Sequence, residues 1–84
     1  MKKYKLTNET KIKFGIKFYR VEALKKFGNV KKGDKGGWVE SEENLSQNDD
    51  AWVYDEAWVF GEALVYGKAR VYGEALVYGE ARVC

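Results

Sequence analysis

AWVYDEAWVFGEALVYGKARVYGEALVYGEARVC, residues 51 to 84, is built from five complete six-residue units that open at Ala51, Ala57, Ala63, Ala69 and Ala75, followed by the partial unit ARVC. Alanine is first and valine third in every unit, an aromatic is fourth in each complete one, and glycine is fifth except where Asp55 replaces it. A helical period of about 3.6 residues would carry Val53, Val59, Val65, Val71, Val77 and Val83 around a cylinder, so the pattern excludes an amphipathic helix. In an extended chain, positions one and three share a face and positions two and four share the other. Ala and Val therefore point inward together, and the fifth-position glycine permits a sharp corner between one short strand and the next.

This pattern resembles the hexapeptide repeat of left-handed parallel β-helices. Val53, Val59, Val65, Val71, Val77 and Val83 match its aliphatic position, and Ala57, Ala63, Ala69, Ala75 and Ala81 its small one. The resemblance implies three units per coil and supplies the handedness. It extends back more weakly, because Val39 and Leu45 are six apart but Leu45 and Val53 eight, so a two-residue loop is expected near Asn48 to Asp50. With three units to a coil, residues 18 apart stack about 4.8 Å from each other. One outer side then stacks Trp38, Trp58 and Leu76 beside Glu40, Phe60 and Tyr78. The next stacks Asn44, Leu64 and Arg82 beside Ser46, Tyr66 and Cys84, and the third stacks Trp52 and Arg70, read as a cation over a ring, beside Tyr54 and Tyr72.

Upstream, KYKL at 3 to 6, KIKF at 11 to 14 and IKFYRVEAL at 16 to 24 read as short strands separated by Thr7 to Thr10 and by Gly15. They are expected to form a meander that covers the first coil, since a solenoid end exposes apolar interior and unpaired backbone. KKGDKGG at 31 to 37 reads as the loop leading into the coils. The expected organisation is all-β: a basic N-terminal cap, residues 1–36, on a hexapeptide-repeat β-helix, residues 37–84, in one compact unit. A segment such as FYRVEALKKFGNVKKGDKGGWVESEENLS ahead of repeats such as ARVYGE is similar to small proteins of phages and prophages of low-GC bacteria, and that resemblance implies a host-directed binding role.

Composition narrows the chemistry. The 84 residues include no histidine, no proline and one cysteine. Without histidine the usual general base, zinc ligand and triad imidazole are missing, which removes most hydrolytic and acyl-transfer mechanisms. A hexapeptide-type acyltransferase, which in that family relies on a histidine base and on longer trimeric solenoids, is therefore not expected. A single thiol cannot form an internal disulfide, no apolar run approaches the roughly 18 residues of a membrane span, and MKKYKLTNETK has no signal-peptide core, so a bacterial cytoplasm is expected and a membrane is not.

The remaining motifs read as structural. Glu56, Glu62, Glu74 and Glu80 occupy corner positions, where solvated charge is the ordinary role. KKGDKGG lacks the spacing of a triphosphate-binding loop. Asn8-Glu9-Thr10 and Asn44-Leu45-Ser46 match glycosylation acceptors in form alone, and no histidine or helix start stands beside Cys84 to make its thiol reactive. Neither a cofactor nor a metal is expected.

Charge is uneven: residues 1–36 carry net +9 and residues 37–84 net −7. Such asymmetry suits a polyanion, a charged protein surface, or contact between the two halves. Lys11, Lys13, Lys17 and Arg20, interleaved with Phe14, Phe18 and Tyr19, are the candidate basic surface for nucleic acid, although a half-buried strand shows the same alternation. The outer side bearing Trp38, Trp58, Phe60, Leu76 and Tyr78 is the most apolar, and these residues are the candidate partner surface. Leu76, Val77, Val83 and Cys84 of the last coil are the expected homodimer interface, because stacking two open coil ends about a two-fold axis would bury both. The expected function is a non-enzymatic binding protein that inhibits or modulates a host protein or ribonucleoprotein complex, with an anti-CRISPR or other anti-defence inhibitor as its specific form. A nucleic-acid binder and a self-assembling solenoid are the alternatives.

Overall fold

The computed structural model describes residues 2–84. Among them the chain is all-β, with β1 (Tyr4–Lys13), β2 (Ile16–Ala23), β3 (Lys35–Val39) and six two-residue strands, β4 (Trp52–Val53), β5 (Trp58–Val59), β6 (Leu64–Val65), β7 (Arg70–Val71), β8 (Leu76–Val77) and β9 (Arg82–Val83). No described helix is long and apolar enough to cross a membrane.

The six-residue units stack in parallel. Trp52 pairs with Arg70, Trp58 with Leu76 and Leu64 with Arg82, each 18 positions along. Trp38 pairs with Trp58, and Leu45 with Val65, at an interval of 20. The two extra residues fall between Leu45 and Ala51, where the spacing of the apolar positions places them. Between turns the N–H of Trp52, Tyr54, Trp58, Phe60, Leu64 and Tyr66 reaches the C=O of Ala69, Val71, Ala75, Val77, Ala81 and Val83 at 2.7–3.1 Å.

Inside the turns Ala51, Val53, Ala57, Val59, Ala63 and Val65 are at most 1% exposed. Each valine so buried contributes on the order of 1.5–3 kcal/mol. The corners take left-handed backbone at Gly61, Gly67, Gly73 and Gly79, and Asp55 adopts it too, with φ +57°. The Asp55 carboxylate accepts the Gly73 N–H of the turn above at 3.3 Å.

At the N-terminus β1, β2 and β3 form an antiparallel meander that continues through β3 into β5 and β8 as one five-stranded sheet. Two local expectations are corrected. Thr7 to Thr10 does not separate two strands but forms a bulge inside a ten-residue β1. The Thr7 hydroxyl donates to the Arg20 C=O at 2.9 Å and accepts from the Glu9 N–H at 3.2 Å, so the polar stretch keeps its pairing. Lys35 to Gly37 is not loop but the start of β3. Gly37 lies so close to the stack that a Cβ there would sit 2.6 Å from Val53 Cγ1 and 2.7 Å from the Ala57 carbonyl oxygen.

Tyr4, Val21, Ala23, Phe27 and Val30 join Val39 and Val53 in one buried cluster, which covers the first turn from the N-terminal side. Lys3 and Tyr4 also hold the two-residue insertion. Lys3 is 1% exposed, and its Nζ donates to the carbonyls of Asp49 and Ala51 at 2.8 and 2.7 Å. Burial lowers its pKa to about 8 against the opposing pull of Asp49 and Asp50. The Tyr4 hydroxyl lies 2.6 Å from the Leu45 carbonyl oxygen, and burial pushes its pKa up. Buried Asn44 closes the corner before Leu45: Oδ1 accepts from the N–H of Glu40 and Ser41, and Nδ2 donates to the carbonyls of Gly61 and Ala63.

Candidate binding face

The candidate face begins at the tip of the β1–β2 hairpin. Phe14 and Gly15 form a two-residue turn with φ of +56° and +73°, a conformation that matches strand twist and favours Asn or Gly at the first position. A phenylalanine there is conformationally costly. It is nonetheless 59% exposed, and it stacks on Phe60 with ring centroids 5.8 Å apart. Phe60 stacks in turn on Tyr78 at 5.4 Å with planes 12° apart. Three rings thus run in file from the hairpin tip onto the stacked turns, and Leu76 of β8 is exposed as well.

Beneath the file the hairpin folds across the outer side of β3 and β5. Phe18 meets Trp58 edge-on at 4.6 Å, and Trp38 stacks on Trp58 at 5.6 Å with an interplanar angle of 18°. Lys11 and Arg20 each lie 4.7 Å from the Trp38 ring centre, and Lys13 lies 5.0 Å from that of Trp58. Glu56 then receives both neighbouring cations, Arg20 at 2.7 Å and Lys11 at 3.2 Å. The hydrogen bond from Lys11, with Arg20 in support, holds its carboxyl below the usual range.

This covering corrects the expected partner surface. Trp38 is 1% and Trp58 7% exposed, because second-position side chains point outward from the stack but the N-terminal hairpin lies over them. Phe60 is half-buried and Leu76 and Tyr78 are exposed, so these three remain available. Phe14 was not expected from the sequence as a surface partner of that ladder. The signal was there in FG at the middle of a KIKFGIKF palindrome-like hairpin, which sets an aromatic at the turn. Trp52 is covered as well: its ring packs edge-on against Tyr4 and Phe27 and does not lie outward under Arg70.

The basic candidates divide. Lys11 and Arg20 are tied to Glu56, Lys13 lies over Trp58, and Lys17 sits 5.4 Å from the Tyr19 ring. Part of the charge asymmetry is therefore resolved by contact between the halves. Between the hairpin and β8 an open groove of about 460 Å³ is lined by Lys11, Lys13, Glu56, Trp58, Glu74 and Leu76. Of the expected dimer residues, Val77 and Val83 are half-buried and Leu76 and Cys84 exposed. Cys84 lies beside Tyr66 and raises the pKa of its hydroxyl. No group of three metal-ligating side chains gathers among the described residues.

Compared with known protein families, the chain matches no family model, and comparison with curated proteins gives no match.

Proposed function

We propose that this is a non-enzymatic binding protein that engages a protein partner through Phe14, Phe60, Leu76 and Tyr78. The observation that carries the reading is Phe14, a bulky residue held in left-handed backbone at an exposed tip and stacked in file with Phe60 and Tyr78. Exposed aromatics on a rigid frame are the residue type that anchors interfaces. The hexapeptide resemblance, together with the 18-residue parallel register, supports reading the frame as a short left-handed-type parallel β-helix capped by the meander. The resemblance to phage and prophage proteins supports the specific form: inhibition or modulation of a host protein or ribonucleoprotein complex in the bacterial cytoplasm, as an anti-CRISPR or other anti-defence factor.

The test is affinity capture from host lysate with the wild type and with a Phe14→Ser/Tyr78→Ser variant whose circular dichroism is unchanged. The wild type is expected to retain a species that the variant loses. Equal capture by both would remove the aromatic file as the contact.

A second reading, homodimerisation through the last turn, is favoured by one comparison. Ala75, Leu76 and Ala81 are exposed, whereas their counterparts one turn below, Ala57, Trp58 and Ala63, are buried. Light scattering of the 84-residue chain at high micromolar concentration tests it, and a monomer there would refute the dimer. Leu76 belongs to both surfaces, so dimer and partner complex would compete.

A further inference from the structure

Phe27 and Val30 face each other in an antiparallel bridge, each donating its N–H to the other's C=O at 3.0 and 2.8 Å. The same register closes the root of the loop, where the Ala23 N–H meets the Asp34 C=O at 2.8 Å. Lys25, Lys26, Lys31 and Lys32 lie between tip and root. The loop that carries them is pinned, because Phe27 and Val30 are buried and Phe27 packs edge-on against Trp52 at 5.2 Å.

Several cations elsewhere meet carboxylates: Lys2 with Glu42, Lys11 and Arg20 with Glu56, Lys35 with Glu9. Among the described residues none of Lys25, Lys26, Lys31 and Lys32 has a carboxylate within 4.0 Å. The nearby acids are mostly engaged with backbone. Asp34 accepts the Lys31 N–H at 2.9 Å, and Asp49 accepts the N–H of Gly67 and Ala51 at 2.6 and 3.2 Å. Asp50, packed beside Gly28, is the one local carboxylate without such a bond.

The same side of the stack continues the pattern. Arg70 pairs in register with Trp52, the ring that anchors the loop, and among the described residues it too has no carboxylate within 4.0 Å. Beside it Tyr72 stacks on Tyr54 at 4.7 Å and is 53% exposed. Ammonium groups on a pinned loop, with a guanidinium and an exposed ring on the same side of the stack, supply the two contacts that single-stranded nucleic acid takes: phosphate neutralisation and base stacking. We propose that the Lys25–Lys32 loop, with Arg70 and Tyr72, binds the phosphodiester backbone and bases of a single-stranded nucleic acid. This surface is separate from the Phe14–Phe60–Tyr78 file and does not depend on it.

Fluorescence anisotropy of the full chain with a labelled oligothymidylate tests the proposal. Four phosphate contacts would lower affinity about 50-fold between about 50 and 200 mM salt. The Lys25→Gln/Lys26→Gln/Lys31→Gln/Lys32→Gln variant is expected to bind at least about tenfold more weakly at low salt and to lose most of that dependence. Tyr72→Ser, which disturbs no buried residue, is expected to weaken binding about tenfold and provides an independent reading should the multiple variant misfold. Lys11→Gln/Lys13→Gln should leave binding unchanged. Absence of binding by the wild type at the lower salt, or unaltered binding by both the lysine and the Tyr72 variants, would overturn the proposal. Displacement of the oligonucleotide by polyglutamate or by phosphatidylserine vesicles as readily as by unlabelled oligonucleotide would overturn it too, by assigning the loop to anions in general.

Discussion

Trp38 and Trp58 stack 5.6 Å apart and nearly parallel although twenty positions separate them, and Lys11 and Arg20 seal the pair from outside. Their neighbours join the cap to the stacked turns, so these rings are structural. Trp58→Ala should cost about 3–5 kcal/mol, the usual range for an aromatic removed from a core. Urea denaturation measures it. A loss below about 1 kcal/mol would mean that the hairpin does not hold Trp58 as the structure has it.

The Glu56 node gives a second expectation. Glu56→Gln leaves Lys11 and Arg20 without their shared carboxylate at a half-exposed site, so it should loosen the hairpin and lower stability by no more than about 1 kcal/mol, less at high salt. Titration of the denaturation midpoint against salt checks it, and a salt-independent loss would point to packing instead of charge.

Asn44 is a sharper case. Its amide makes four hydrogen bonds while 1% exposed. Asn44→Ala should cost about 2–4 kcal/mol, because buried N–H and C=O groups are left unpaired. Asn44→Asp should cost at least as much, since a carboxylate cannot donate to the Gly61 and Ala63 carbonyls. Stability of Asn44→Asp equal to the wild type would contradict this assignment.

Lys3 makes stability depend on pH. In the folded protein it releases its proton near pH 8, whereas the unfolded chain holds it to about 10.5. Between these values the unfolded state binds more protons, so stability should rise with pH, by up to about 3 kcal/mol. Tyr4 acts in the opposite sense above pH 10, because its raised pKa keeps the folded phenol protonated where the unfolded one ionises. A maximum near pH 10 follows. Denaturation midpoints from about pH 7 to 11 test it, and the rise should vanish in Lys3→Met.

Gly37→Ala should destabilise strongly, because its new methyl group would meet Val53 and the Ala57 carbonyl at impossible range. Gly73→Ala is the contrast: nothing lies within 4 Å of that position, so only its left-handed backbone opposes the change. The first is expected to unfold the protein or cost more than about 3 kcal/mol, the second about 1 kcal/mol, as judged by thermal melts.

The interior of the stack was legible because a six-residue period leaves its mark on every turn. Val53 over Val71, Val59 over Val77 and Val65 over Val83 follow from counting, as does the surplus of two residues before Ala51. The outer sides were not legible in that way. A repeat says that Trp38, Trp52 and Trp58 point outward but nothing about what returns to cover them, and the covering residues, Phe18, Phe27 and Tyr4, lie 20 to 48 positions away in a segment with no period. Lys3 gave no signal at all, since a buried lysine has the same letter as a solvated one. Charge asymmetry did carry part of the answer, through the Lys11–Glu56 and Arg20–Glu56 pairs.

The unvarying interval between paired residues beyond Ala51 also makes this architecture divisible. Because the paired residues of successive turns there lie 18 positions apart, duplicating residues 57–74 would add a whole layer about 4.8 Å thick and return each following side chain to its own side. Duplicating a single unit would instead rotate everything downstream by a third of a revolution, breaking the file of Phe60 and Tyr78 while leaving the interior filled with Ala and Val. Lengthening by threes is therefore silent to the surface, and lengthening by ones rewrites it, which gives such a chain a simple route to new outer faces without redesign of its core.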